Sequence, residues 1–252
     1  MTTSPFAMTM LKFRLMGALS MGMLVYALYQ GGSIASWGAA VALYFLYGCV
    51  GIAVTFHRYL THKSFKMPLW KERLFVFIGH LAGTDSAISW VATHINHHKF
   101  SDTKGDPHSP KNGALKMWVL DYGSLQTPRS KVVLRLMRDP FYRALHNYYL
   151  LLHIVWVLGV YALFGFEGVL FGHFVPVAFV FLGSGAANFF GHTHGTQRYA
   201  THDDSKNNPL LALFSWGEGW HNNHHRFPGR PNFGEKWWEL DVSWMVIRLV
   251  RS

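Results

Sequence analysis

The chain has one cysteine, Cys49, and it lies inside an apolar run. A single thiol excludes a disulfide framework, a cysteine-type zinc site and an iron-sulfur cluster carried by this chain alone. Charge is also scarce, at 14% of residues against about a quarter in soluble domains, while half of the residues are apolar. Both shortages point to a membrane. The positive charges present are partitioned: no Lys or Arg occurs from Leu15 to His57, and none from Asn147 to Gly191. The net charge of +10 therefore sits in three blocks separated by long apolar runs. Such blocks follow the positive-inside pattern of membrane proteins. A nucleic-acid-binding stripe has no reason to avoid apolar runs, so no nucleic-acid partner is expected.

Residues 1–12 read as a short lead-in without a small-residue cleavage site, so no removable signal is expected. The apolar runs predict an all-α, multi-pass protein with four transmembrane helices at about 14–30, 34–56, 147–164 and 168–190. The turn Gln30-Gly31-Gly32-Ser33 carries no charge, and neither Lys nor Arg occurs in the second connection, Phe164 to Gly168. Counting crossings puts every Lys and Arg on one side, the cytoplasmic side by the charge rule, in a single domain over 1–252 with a cytosolic helical cap. Leu69 to Trp90 mixes charge with apolar residues and predicts an amphipathic or partly re-entrant helix. Pro107, Pro110 and Pro128 break the polar segment that follows. The Trp-rich tail from Gly234 to Ser252 reads as a helix lying at the interface.

What the chain has in abundance is histidine, 16 in all. His94, His97 and His98 form an H-x-x-H-H cluster, and the spacing returns at His221, His224 and His225. Residues three and four apart share a helix face, so each cluster can aim three neutral imidazoles at one small volume. At about 100° per residue, His94 and His98 lie about 40° apart and His97 about 60° to the other side. One helix could thus serve two metals, with the ligand of each ion left open. His57 and His62 are five apart, which does not keep one α-helical face, so one of them is expected past a helix end. Asn188 and His192 share a face; an amide is a weak ligand and would rather hold a water on a metal.

These stretches, HRYLTH at 57, HINHHKFSDTKGDPH at 94, NFFGH at 188 and GEGWHNNHH at 217, resemble the histidine boxes of the membrane fatty-acyl desaturases, particularly the delta-9 type. The resemblance implies two iron(II) ions held by His57, His62, His94, His97, His98, His192, His221, His224 and His225, with Asn188 holding a water. It implies a reaction in which dioxygen and two external electrons serve to remove two hydrogens from neighbouring carbons, leaving a cis double bond. No haem- or flavin-binding stretch is present, so the electrons imply a separate ferredoxin-like donor or reductase. The remaining expected partners are the bilayer, in a bacterial inner membrane, and an acyl chain carried either on CoA or in a membrane lipid. Acyl-CoA-using members commonly place an Arg-Asp pair before the second box, where this chain has Ala92 and Thr93.

Glu218-Gly-Trp-His221 matches the E-x-x-H of carboxylate-bridged di-iron bundles, but those need two such motifs and this chain has one. Glu218 is therefore expected to orient a histidine, as are Asp102 and Asp106. Trp90, Trp216 and Trp220 are candidates to line an acyl tunnel. His80, His146, His153 and His173, isolated on apolar helices, are expected to be satisfied core or headgroup histidines. The competing readings are a hydroxylase or oxygenase of the same histidine-box superfamily and a histidine-rich metal transporter. The transporter needs ligands lining a path through the membrane, whereas these cluster at one face.

Overall fold

A computed structural model describes residues 5–113 and 130–252. Pro128 lies outside them. Among the described residues there is no strand; two isolated bridges, Thr196 to Asn207 and Asn207 to Trp220, fasten an otherwise irregular loop. Helix α1 (Pro5–Gln30) begins within the expected lead-in, and α2 (Ile34–Tyr44) follows after a turn at Gly31, whose φ of 74° suits glycine. Ser33 caps α2 by accepting from the Ser36 N–H at 3.0 Å.

From Phe45 to Thr61 the same rod continues as a π-helix. It packs on α3 (Leu69–Leu81) where two glycines meet: a Cβ on Gly51 would lie 2.6 Å from the Gly79 Cα, so only glycine permits this approach. The amphipathic stretch expected from Leu69 to Trp90 is in fact two helices. The chain breaks after Leu81, passes Gly83 and Asp85 at φ of 76° and 80°, and restarts as α4 (Ala87–Phe100), capped by Ser86. Two left-handed residues cannot continue a helix, and a serine cap then starts a new one.

Helices α5 (Lys131–Arg138) and α6 (Pro140–Asn147) lead into α7 (Tyr149–Val169), a π segment (Leu170–Phe174) and α8 (Val175–Thr193). Gly165, at φ 65° and ψ −164°, interrupts this long rod. Leu151, Ile154, Val155 and Leu158 stand exposed on α7, as a lipid-facing side requires. Short helices α9 (Pro209–Phe214), α10 (His221–Arg226) and α11 (Val242–Val250) complete the chain, so only the last part of the tail is helical. Leu11–Gln30, Ile34–Thr61 and Tyr149–Thr193 are long and apolar enough to cross a membrane. The turns at Gly31 and Gly165 share one end of the bundle, where the Ser36 hydroxyl donates to Glu167 at 2.5 Å and Tyr26 meets Phe166 edge-on.

Candidate metal centre

The boxes converge on one another. Ligand-type atoms of His57, His62, His94, His98 and His224 lie within 4.8 Å of one another, and so do those of His97, His192, His221 and His225. Helix α4 supplies both groups, its two faces dividing His94 and His98 from His97; α10 likewise sends His224 to one group and His221 and His225 to the other. His62 does stand at a helix end, but the reason it reaches the side of His57 is the π winding. Its N–H bonds the His57 carbonyl at 3.1 Å, and on a helix with five-residue hydrogen bonds residues five apart share a face.

Carboxylates set the ring orientations. The Nδ1 atoms of His57, His97 and His192 lie 2.5, 2.9 and 2.7 Å from Glu218, Asp106 and Asp102. A fourth contact was not foreseen: Asp203 lies 2.6 Å from His225 Nδ1. Asp203 is more than twenty residues from His225 and was not distinguished by spacing, whereas Asp102 and Asp106 follow their box directly. With Nδ1 carrying the proton toward a carboxylate, Nε2 presents a bare lone pair. The buried Nε2 atoms of His97 and His225 have no hydrogen-bond partner. Elsewhere Nε2 atoms face one another, His57 to His224 at 3.0 Å, His98 to His224 at 3.0 Å and His192 to His221 at 2.9 Å. Lone pairs gathered this closely suit a cation between them. The donor set, neutral imidazole alone, fits iron and its transition-metal neighbours.

Burial pushes His62, His94, His98, His221 and His224 well below the ordinary imidazole range, and neighbouring histidines add to the effect. Burial opposes the ionised form of Asp106, yet its hydrogen bonds with His97 and the His108 N–H hold it at about 2. Asp203 is likewise held below the carboxylate range, against burial, by His225, Ser205 and Thr201. His225 falls to about 3 from its ordinary 6.5 through burial, although Asp203 works the other way. The unfolded chain thus takes up a proton near pH 6.5 and the folded chain only near 3, so acid favours unfolding across that window. Metal-stripped protein is expected to be most stable above this window and to melt at progressively lower temperature as pH falls into it. A melting temperature independent of pH there would contradict the assignment of buried neutral rings.

Arg58 also escaped the sequence reading. Fully buried, it donates to Asp241 at 2.8 and 2.9 Å, to Glu218 at 3.0 Å and to the Pro231 carbonyl at 2.9 Å, and it lies over Phe233. Asp241 in turn caps α11. Through Glu218, this network ties the C-terminal segment to His57.

A cavity runs beside both histidine groups. His57, His94 and His221 border it with Asn188, while Trp90 and Trp216 contribute apolar wall. Trp220 is elsewhere: it is buried with Ala212 and Phe233 and donates to the Leu240 carbonyl at 2.9 Å, a core position that gives it no wall of this cavity. His146 is satisfied by Ser86 at 2.7 Å. Removal of Asp203 is a direct check on the unforeseen contact. Asp203→Ala is expected to weaken metal binding by roughly 10- to 100-fold, the usual cost of freeing a ligand's outer hydrogen bond. Chelator competition measures it, and an unchanged affinity would show that Asp203 does not hold His225 for a metal.

Helices of membrane-crossing length end on two converged histidine groups, each of which could hold a metal ion, as in a membrane protein with a metal centre. The chain belongs to the fatty acid desaturase family, whose model matches residues 35–240. It is 38% identical over 218 residues to the palmitoyl-monogalactosyldiacylglycerol delta-7 desaturase of Arabidopsis thaliana, covering 84% of this chain and 59% of that protein. It is 37% identical over 224 residues to an sn-1 stearoyl-lipid 9-desaturase of Synechocystis sp., with 85% and 70% covered. The icosanoyl-CoA 5-desaturase of Limnanthes douglasii is also 37% identical over 224 residues, with 86% and 63% covered. The chain thus spans about three-fifths to seven-tenths of these relatives' lengths.

Proposed function

We propose that this chain is an oxygen-dependent acyl desaturase that introduces a cis double bond, at the delta-9 position, into a saturated acyl chain. The observation that carries this reading is the cavity, apolar along Trp90, Trp216, Ile52 and Phe181 and bordered also by His57, His94 and His221. An alkyl chain laid in it presents its methylenes to both histidine groups.

The nine histidines would hold two iron ions, five at one and four at the other. With dioxygen and two electrons from a separate donor protein, the ions supply the oxidising strength that an unactivated methylene demands. The residues of the chain do the rest. Glu218, Asp102, Asp106 and Asp203 keep one proton on each Nδ1 and the opposite nitrogen free. Asn188 borders the same cavity as His221, and its amide would hold a water there. The aromatic walls exclude bulk solvent from the reacting carbons.

In the bilayer, the break at Gly165 divides the third apolar stretch into two crossings, giving four with Leu11–Gln30 and Ile34–Thr61. The histidine groups then lie on the cytoplasmic side with the basic segments, which form the docking face for the electron donor. We read the acyl carrier as a membrane lipid. Ala92 is buried and Thr93 borders the cavity, so neither offers a cation to a CoA head. Two of the relatives named above act on lipid-linked chains by their names.

The test is the fatty-acid profile of membranes from cells expressing the chain, with double bonds mapped by gas chromatography and mass spectrometry. A new cis-monoene at carbon 9 in the lipid fraction is expected. A hydroxy-acyl product without unsaturation would overturn the reading in favour of a hydroxylase.

A further inference from the structure

A second hollow lies between the membrane-spanning helices. Its volume is about 860 Å³, and none of the residues that border it borders the acyl cavity. Along the rod Ile34–Thr61 and its capping serine, the wall is Ser33, Ser36, Ala39, Leu43 and Tyr47. These are three or four residues apart and so share one helix face. Opposite them α7 contributes Val155, Gly159 and Leu163, at the same spacing. Tyr47 and Phe171 are buried, whereas Val155 and Leu163 are more than half exposed. The hollow is therefore a groove with a packed floor and a side open to the bilayer.

The groove changes character along its length. At the end near the Gly31 and Gly165 turns it is polar, with Ser33, Ser36 and Glu167, and the Ser36 hydroxyl donates to the Glu167 carboxylate. From Ala39 onward its walls are apolar, and the Tyr47 hydroxyl at the far end is turned to the Gly172 carbonyl. From Ser33 to Tyr47 is roughly 20 Å at 1.5 Å per residue, enough to cover the roughly 15 Å of hydrocarbon in one leaflet. A polar end followed by an apolar run of leaflet depth matches a lipid head and its chain.

A helix from a partner or from a second copy is too wide for this space. A volume of 860 Å³ over roughly 20 Å leaves on the order of 40 Å² in cross-section, half or less of that of a helix 10–12 Å across. A flexible alkyl chain is narrower. Gly159 keeps the space clear, since a Cβ there would meet nothing within 4 Å and the residue serves no close helix contact.

Charge selects the head. Glu167 is the only charged side chain from Leu15 to His57 or from Asn147 to Gly191, so these helices supply no cation to pair with it. An anionic head would meet a carboxylate and neither Lys nor Arg. A primary ammonium brings both the missing charge and N–H groups to donate. We propose that the groove holds a bilayer phospholipid with a primary-ammonium headgroup, its chain between α2 and α7 and its ammonium on Glu167. Ser33 and His57 stand near opposite ends of one rod, so this lipid belongs to the leaflet remote from the histidine groups. The site does not depend on the reaction those groups perform.

Native mass spectrometry of the full chain tests it, with phosphatidylethanolamine and phosphatidylglycerol of identical acyl chains competing for delipidated protein. The wild type is expected to retain one phospholipid and to prefer the ethanolamine lipid about two- to fivefold, the range that one exposed ion pair supplies. Glu167→Gln keeps the shape of the side chain and removes its charge, so it should bind both lipids without preference. Gly159→Leu fills the groove and should lose both while keeping wild-type metal content. Equal retention of the two lipids by the wild type, or an undiminished preference in Glu167→Gln, would overturn the headgroup assignment. No retained lipid in the wild type, or full retention in Gly159→Leu, would overturn the site. A wild-type dimer that Gly159→Leu dissociates would give the groove to a second copy and overturn it too.

Discussion

His224→Ala is expected to leave the protein inserted in its membrane but holding about one metal ion per chain in place of two, with desaturation abolished. His224 is the hinge of the five-histidine group. Its Nε2 lies 3.0 Å from that of His57 and 3.0 Å from that of His98, so its ring joins the π-helix contribution to that of α4. Alanine there removes a ligand and leaves the remaining lone pairs facing a gap. The other group, His97, His192, His221 and His225, keeps its whole donor set. Elemental analysis of purified protein, reconstituted with iron to avoid adventitious zinc, reads the outcome. Two ions retained with undiminished turnover would remove His224 from the site. His98→Ala is expected to behave alike, because His98 faces both His94 and His224 at 3.0 Å.

The second large effect falls on stability. Arg58→Met is expected to cost about 3–5 kcal/mol, the usual penalty for breaking a buried ion pair from one side. The guanidinium is fully buried, and its loss strands Asp241 and Glu218, whose carboxylates it neutralises. Because Glu218 also holds His57, the first metal group should loosen as well. Loss of thermal stability in detergent measures the effect. The double variant Arg58→Met with Asp241→Asn should recover part of it, since the stranded charge at Asp241 is then gone. A single variant as stable as the wild type would show that Arg58 is not the brace of this end of the bundle.

The two predictions differ in how they could have been reached. His224 belongs to a box visible in the sequence, since H-x-x-H-H recurs with the same spacing and histidines three and four apart share a helix face. Arg58 follows His57 directly in the chain, yet its partners are Glu218 and Asp241, at least 160 residues away. Nothing local announces them. Asp203 is a similar case, reaching His225 only because the irregular loop that carries it folds back over α10. The pairing of His57 with His62 depended on a change of helix type. α-Helical periodicity sets the two apart, and the π winding that rejoins them is a property of the packed rod.

The same division separates His80, His153 and His173 from the boxes. Each stands alone in an apolar stretch, and an isolated histidine carries no periodic signal. Only the packing of α3 against α7 and the π segment Leu170–Phe174 brings them into line, with ring centroids 4.9 Å apart from His80 to His153 and 5.5 Å from His153 to His173.

Taken alone, then, the sequence determined an all-helical, membrane-type chain, the nine box histidines, and the family to which they belong. These are matters of composition, short spacing and apolar run length, all local along the chain. Tertiary structure alone decided the division into five and four histidines, the carboxylate behind each of four rings, the position of Trp220 in a core and the line of buried histidines between helices. Those depend on contacts between residues tens to hundreds of positions apart, which no local pattern encodes.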